Sequence, residues 1–388
     1  MISVVIPSRN DDINLFRDTL NCILAQDLKP KELVVVDSSS NSNVKKLLKN
    51  TNFHGITIIY KKIEGSFAGK STNIGMKLAN EKYIALLDTK TKPKPNWLST
   101  YINFIEKEGL ELVFGNTKFF SHTWFQDLIR ISSYGDSSHE TVPGTVFMKS
   151  KLSTGIFFIE NVRSSYDIEW RNRVKKKLLT KTPNVALIEY EDFPKNFQET
   201  VKKYFIYSFY TAIVNVQKDA KDLYLSIFLI ATALIIPRWN FFLDGWDANP
   251  LYIADVTKKY FLSILAIFFS LLVTSRFFPQ SVKENLAFNT LKYLVYLFIF
   301  LAIFNWNAVV AEWVEDATFY IPHITKIFIF FVILTSIFIR GIFKPLSNEV
   351  KLEHLLPLRW LFIGMMGLII DIVKAPGYVI GSIISKFR

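Results

Sequence analysis

Cysteine is all but missing from this chain. Cys22 is the only one in 388 residues, so no intrachain disulfide can form, and a reducing, cytoplasmic setting fits the first half. No basic leader and no cleavage site precede the first strand-like run at Ile2, so no signal peptide is expected. Internal repeats and low-complexity tracts are absent from the sequence too. Histidine is scarce: His139-Glu140 has no second His at zinc-helix spacing, and His54, His122, His323 and His354 have no partner at ligand spacing. Acids are outnumbered, 34 Asp+Glu against 46 Lys+Arg, for a net charge of +12. No zinc finger, RNA-recognition signature or basic helix pattern accompanies that charge, which argues against nucleic acid. Anionic lipid or a phosphate-bearing partner explains it better.

What the chain has in excess is hydrophobic residues. They make up 50% of it, and 35 are Phe. The excess falls in the second half. Tyr204 to Val216 is apolar but too short to span a bilayer, and reads as an interfacial helix within 204–222. Four longer runs follow, near 223–243, 260–278, 291–311 and 325–343, each close to the length that crosses the hydrocarbon core. A last run, Trp360 to Ile370, is too short. Asp371, Lys374 and Pro376 follow it, so the tail 344–388 is expected to lie on the surface or re-enter. Arg276, Lys283 and Lys292 surround the second connection, and Arg340, Lys344, Lys351 and Arg359 follow the fourth run. Acids dominate the first and third connections. Positive residues inside would place both termini in the cytoplasm, on a multi-pass protein of the cytoplasmic membrane. Arg238-Trp239 and Arg359-Trp360 suit interfacial anchors.

The first half alternates strand-like and helix-like segments. Strands are predicted at 2–6, 32–37, 56–60, 82–87, 111–115 and near 185–190. Amphipathic helices are predicted near 12–26, 70–79 and 96–107. Alternation of this kind implies an α/β domain with a mostly parallel sheet, and apolar strands that end in polar residues deliver chemistry at their carboxyl ends. Three such stretches stand out, Ser3 to Asn10, Glu32 to Ser40 and Tyr83 to Asp88, and a fourth stretch, Tyr166 to Trp170, follows them. Gly69-Lys70-Ser71 invites a phosphate-loop reading, but position 64, where that motif needs glycine, is Glu64, and an ATPase is excluded.

In this order and spacing the stretches resemble the family-2 glycosyltransferases of the GT-A (Rossmann-like) fold, over roughly residues 1 to 200. The resemblance implies a cytoplasmic GT-A domain at 1–203, carried by an all-α membrane region at 223–343. It implies that Pro7, Asn10 and Asp37 hold the nucleotide of a nucleotide-sugar donor. Ser38 stands where the family often has a second acid. The segment Gly65 to Gly75 matches the family's glycine-containing loop, with Asn73 at its end and Lys70 beside the diphosphate. Asp88 matches the first residue of the family's Asp-x-Asp, which contacts the sugar nucleotide. The second residue of that motif helps bind a divalent cation, Mg or Mn, and here it is Lys90. A lysine cannot ligate a hard cation, but its ammonium can offset phosphate charge. Either the enzyme works with little or no metal, or activity has been lost. If metal binds, Asp88 is its remaining candidate ligand.

Asp167 matches the family's catalytic base, which deprotonates the acceptor hydroxyl. Asp167 also stands where it would N-cap a helix beginning at Ile168, and the two roles are compatible. The family's preceding Glu is Tyr166 here. Arg173 matches the family's Arg six residues on, and with Arg163 and Trp170 is expected in the acceptor or diphosphate region. The expected function is inverting transfer of a sugar to a lipid-linked, polyprenyl-type acceptor at the membrane. A non-catalytic membrane scaffold built on a degenerate domain is the alternative, favoured by Lys90 and Tyr166.

Overall fold

The computed structural model describes residues 1–216 and 324–385, with a few residues between 235 and 263. The runs expected near 223–243, 260–278 and 291–311 lie largely or wholly outside the described residues.

Nine strands form one sheet in the order β3-β2-β1-β4-β7-β6-β9-β5, with β8 (Thr180–Lys181) beside β6. Strands β1 (Ile2–Ser8), β2 (Glu32–Asp37), β3 (Thr57–Lys62) and β4 (Tyr83–Leu86) run parallel. The sheet then turns antiparallel through β7 (His139–Met148) and β6 (Leu112–Phe119). Strand β9 (Ile188–Tyr190) runs parallel to β6 and pairs antiparallel with the short β5 (Thr91–Pro93).

The two-residue period of the strands divides the core between two faces. Val4 and Ile6 join the cluster under α1 (Ile13–Leu24), α2 (Asn43–Lys49) and α4 (Trp97–Glu108), whereas Val5 joins the cluster under α3 (Ala68–Leu78) and α6 (Tyr166–Lys175). Phe16, Leu20 and Ile23 of α1 recur at helical spacing and are all buried, each worth about 1.5–3 kcal/mol. Asp12 caps that helix by accepting from the Asn14 N–H. Gly75 lets α3 lie close on the sheet, because a Cβ there would press into Val5. The result is a three-layer α/β/α domain.

Two helices extend this domain. Helix α5 (Trp124–Ser133) follows β6, and α7 (Phe197–Val214) runs across the boundary expected at 203. The C-terminal segment departs furthest from expectation. In place of a short run ending at Ile370, one helix, α9, spans Arg359–Ser385 with Pro376 inside it. Its first half buries Ile363, Met366 and Ile370 with Leu128 and Ile129 of α5. Its second half meets α7 backbone to backbone. A Cβ on Gly377 would stand 2.5 Å from the Ser208 Oγ, and one on Gly381 would press into the Phe209 carbonyl. Packing against α5 and α7 carries the helix past the polar residues that suggested its end. Helix α8 (Ile324–Phe338), extended by a π-helical turn at Ile339–Phe343, falls on the fourth apolar run. Arg340 of that turn pairs with Asp371 of α9 at 2.8 Å. Two described stretches, Phe330–Ser347 and Arg359–Ser385, are long and apolar enough to cross a membrane.

Candidate active site

The carboxyl ends of β1 and β4 meet the start of α6 around a small cavity of about 40 Å³. Pro7, Thr72, Asp88, Phe158, Tyr166 and Asp167 are among its lining residues. After β1 the chain turns sharply. Asp11 holds the turn by accepting from the Ser8 hydroxyl at 3.0 Å and the Arg9 N–H at 2.9 Å. After β4 the Asp88 carbonyl accepts from the Thr91 hydroxyl at 2.7 Å, which directs the chain into β5. Asp167 sits in the first turn of α6. Ser165, with a φ of 63°, is the N-cap, so Asp167 does not cap the helix. Trp170 locks α6 in place by stacking on Phe158 at 4.5 Å and donating from its indole N–H to the Ile156 carbonyl.

Three carboxylates therefore converge. Burial pushes the Asp88 carboxyl up to about 7, and the charges of Asp11 and Asp167 push the same way against Lys90. Burial, with Asp88 and Asp167 adding to it, keeps the Tyr166 hydroxyl well above its ordinary range and so neutral. Lys90 lies beside this group. Burial alone would lower its pKa, but Asp192 overrides that and holds the ammonium above the ordinary lysine range. The Lys90 Nζ is 2.5 Å from the Asp192 Oδ2 and 3.9 Å from the Asp11 Oδ1. Pairing of β5 with β9 brings Asp192 there.

Among the described residues, no group of three His, Cys, Asp or Glu is arranged to hold a metal ion. An ammonium paired with Asp192 and Asp11 stands where a second carboxylate ligand would be needed. The residues present do not fit a cation held in the Asp-x-Asp manner.

The other expected residues divide into those that face this cleft and those that build its walls. Pro7 lines the cavity. Asn10 joins the loops after β1 and β2, since its side-chain oxygen accepts from the Ser40 N–H at 3.0 Å. Asp37 is fully buried and accepts from the Ser39 N–H, the Tyr60 hydroxyl and the Lys62 ammonium, so it organises the loop from within. Burial works against its ionisation, yet these bonds hold its pKa below the usual carboxylate range. Lys70 is exposed near the start of α3.

Packing engages several of the expected residues and a glycine of the expected loop. Asn73 is buried. Its amide donates to the Phe158 carbonyl and to Glu160, and accepts from the Phe158 N–H, so it stitches α3 to the 158–160 segment. Gly69 admits that same segment, because a Cβ there would press into the Ile159 carbonyl. Trp170 is core. Arg173 is engaged by Glu169 at 2.7 Å and the Phe157 carbonyl at 2.6 Å, a brace between α6 and the chain before it. Arg163 is exposed.

Sequence reasoning missed Asp11, Asp192 and Lys203. Asp11 directly follows Asn10 of the first stretch, and Asp192 lies two residues past the end of β9, much as Asp88 lies two past the end of β4. Lys203, on a helix read as a boundary, carried no such signal.

Residues 3–167 match the model described as "Glycosyl transferase family 2". Among curated proteins, the chain is 30% identical over 124 residues to the glycosyltransferase AglE of Haloferax volcanii, covering 30% of this chain and 40% of that one. It is 25% identical over 199 residues to the putative teichuronic acid biosynthesis glycosyltransferase TuaG of Bacillus subtilis, covering 49% of this chain and 78% of that one. Among solved structures, S. aureus TarS residues 1–349 with UDP-GlcNAc align at a TM-score of 0.41 and 16% identity, over 64% of this chain and 76% of that one.

Proposed function

We propose, for a chain whose residues 3–167 match the glycosyl transferase family 2 model, an inverting transfer of a sugar from a nucleotide-sugar donor to a lipid-linked acceptor at the cytoplasmic face of a membrane. The observation that carries this reading is the meeting of Asp88 and Asp167 in one cavity, beside a helix pair that turns apolar side chains outward. Phe197 of α7 and Ile372, Ile380 and Ile383 of α9 are all exposed.

In the reaction, the acceptor oxygen forms a bond to the anomeric carbon as the bond from that carbon to the diphosphate oxygen breaks. Asp167 takes the proton of an acceptor hydroxyl. Where the acceptor is a phosphate it is already ionised, and Asp167 orients it. The leaving nucleoside diphosphate gains negative charge, which Lys90 opposes electrostatically. Tyr166 stays protonated and supplies a hydrogen-bond donor where the family has a carboxylate. A polyprenyl phosphate, glycosylated directly on phosphorus-bound oxygen, is the nearest acceptor, and its products would feed surface polysaccharides or glycoconjugates.

The test is a panel of nucleotide sugars incubated with the full chain and a membrane lipid extract, with product mass measured. A sugar-bearing lipid should form with one donor. The replacement of two family acids by Lys90 and Tyr166 favours a second reading, a membrane scaffold that binds nucleotide without turnover. Nucleotide binding with no product from any donor would decide for it.

A further inference from the structure

Helix α7 sets Lys203, Tyr207 and Thr211 one turn apart on one stripe. The far end of the stripe is fastened to the base-bearing helix, because the Thr211 hydroxyl lies 2.8 Å from that of Ser165. In the middle, burial lifts the Tyr207 hydroxyl above its ordinary range, and Tyr134 and Asp167 add to the effect. At the near end, the Lys203 ammonium lies over the rings of Tyr190 and Tyr207, at 5.9 and 5.8 Å. Its one hydrogen bond among the described residues is a long one, 3.4 Å to the Asp192 carbonyl.

Among the described residues Lys203 has no carboxylate partner. The nearest candidate, Asp192, spends its side chain on Lys90. An ammonium carries three donors, and a partly buried one that meets a single distant acceptor is a receptor awaiting an anion. Burial drives its pKa down to about 8, with Lys90 adding to the fall and Asp192 and Glu199 opposing it, so a bound anion would recover that lost charge stabilisation.

Two anions reach such a cleft. The donor diphosphate belongs with the strand ends, where Lys90 stands beside Asp88. Lys203 instead projects from α7, the helix that carries exposed Phe197 and packs on α9. We infer that Lys203, framed by Tyr190 and Tyr207, binds the phosphate headgroup of a lipid-linked acceptor. The inference rests on the lipid-acceptor reading above. It adds the residue that selects a phosphorylated lipid over the corresponding alcohol.

The test measures binding to the full chain in neutral detergent, with dodecyl phosphate, dodecanol, inorganic phosphate, UDP and GDP as probes. Dodecyl phosphate should bind better than dodecanol. Lys203→Gln should weaken it about tenfold or more, the loss of one charge-assisted contact, and Lys203→Arg should restore most of the affinity. UDP or GDP affinity and the unfolding midpoint should stay near wild type, which separates a lost contact from a lost fold.

Equal loss of nucleotide affinity would make Lys203 a donor residue and overturn the inference. So would Lys203→Gln without effect, or dodecanol binding as well as dodecyl phosphate. Displacement by inorganic phosphate at equal concentration would mark a site for free anions and overturn it too. None of these readouts needs turnover. A transferase assay that yields no product would therefore count against the proposed reaction while the binding result stood.

Discussion

Asp88→Asn should make the protein more stable at pH 8 and leave its stability nearly unchanged at pH 4. Asp88 sits between Asp11 and Asp167 at the end of β4, and its carboxyl is raised from 3.8 to about 7 by burial and by those two charges. A carboxyl whose pKa is higher folded than unfolded holds its proton more tightly in the native state. Below about pH 4 it is neutral in both states and costs nothing. Between 4 and 7 the folded protein binds the extra proton, so stability falls as pH rises. Above 7 the ionised form carries the full penalty. A shift of roughly three units corresponds to about 4 kcal/mol. For a domain of this size that is about 10 °C in unfolding midpoint.

The assay is thermal unfolding of the full chain and of Asp88→Asn in detergent, at several pH values between 4 and 8.5. The difference in midpoint should open through pH 5 to 7 and level off. Lys90→Gln, which removes the charge opposing the shift, should leave the onset in place but move the levelling-off to higher pH and enlarge the final difference. A difference that is the same at pH 4 and pH 8 would refute the convergence of the three carboxylates. The same substitution should lower transferase activity, since the strain serves the site.

Asp167→Asn should cut turnover about 10²-fold or more with nucleotide affinity nearly unchanged, and wild-type rates would remove it from the mechanism. Transferase activity should survive a strong chelator, because Lys90 stands where a metal ligand is expected. Complete loss that Mn²⁺ restores would show a cation bound by other groups. Asn73→Ala should lower stability by about 1–3 kcal/mol, by stranding the Phe158 backbone groups, while UDP or GDP titration of the folded fraction shows little change. A large affinity loss at unchanged unfolding midpoint would return Asn73 to the donor site.

The strand ends were legible because a buried strand must be apolar along its length and can turn polar only where it leaves the sheet. Val34, Val35, Val36 and Asp37 state that rule in four residues. It led to Pro7 and Asp88, which line the cavity with Asp167. The same rule says nothing about what a residue's side chain meets. Asn73 and Gly69 look like a phosphate loop in isolation, and only the 158–160 segment, more than eighty residues away, shows them to be a seam. Asp192 reaches Lys90 through a strand pairing that no local pattern encodes. Helix α9 was misjudged for a related reason. Asp371 and Pro376 weaken a helix in isolation, but Arg340 answers the charge, and glycines at 377 and 381 let α7 support the chain beyond.

That seam between α7 and α9 also bears on the order of assembly. The two helices are neighbours in space but are separated along the chain by everything between Asn215 and Leu358. Contacts of such long sequence separation form late, because the loop must close before they repay its entropy. The α/β layers can condense from local pairings while α7, with Lys203 on it, still lacks its backing. The wall beside Asp167 then sets only when the distant helix arrives, which would make competence of the site a report on the completed placement of the whole chain.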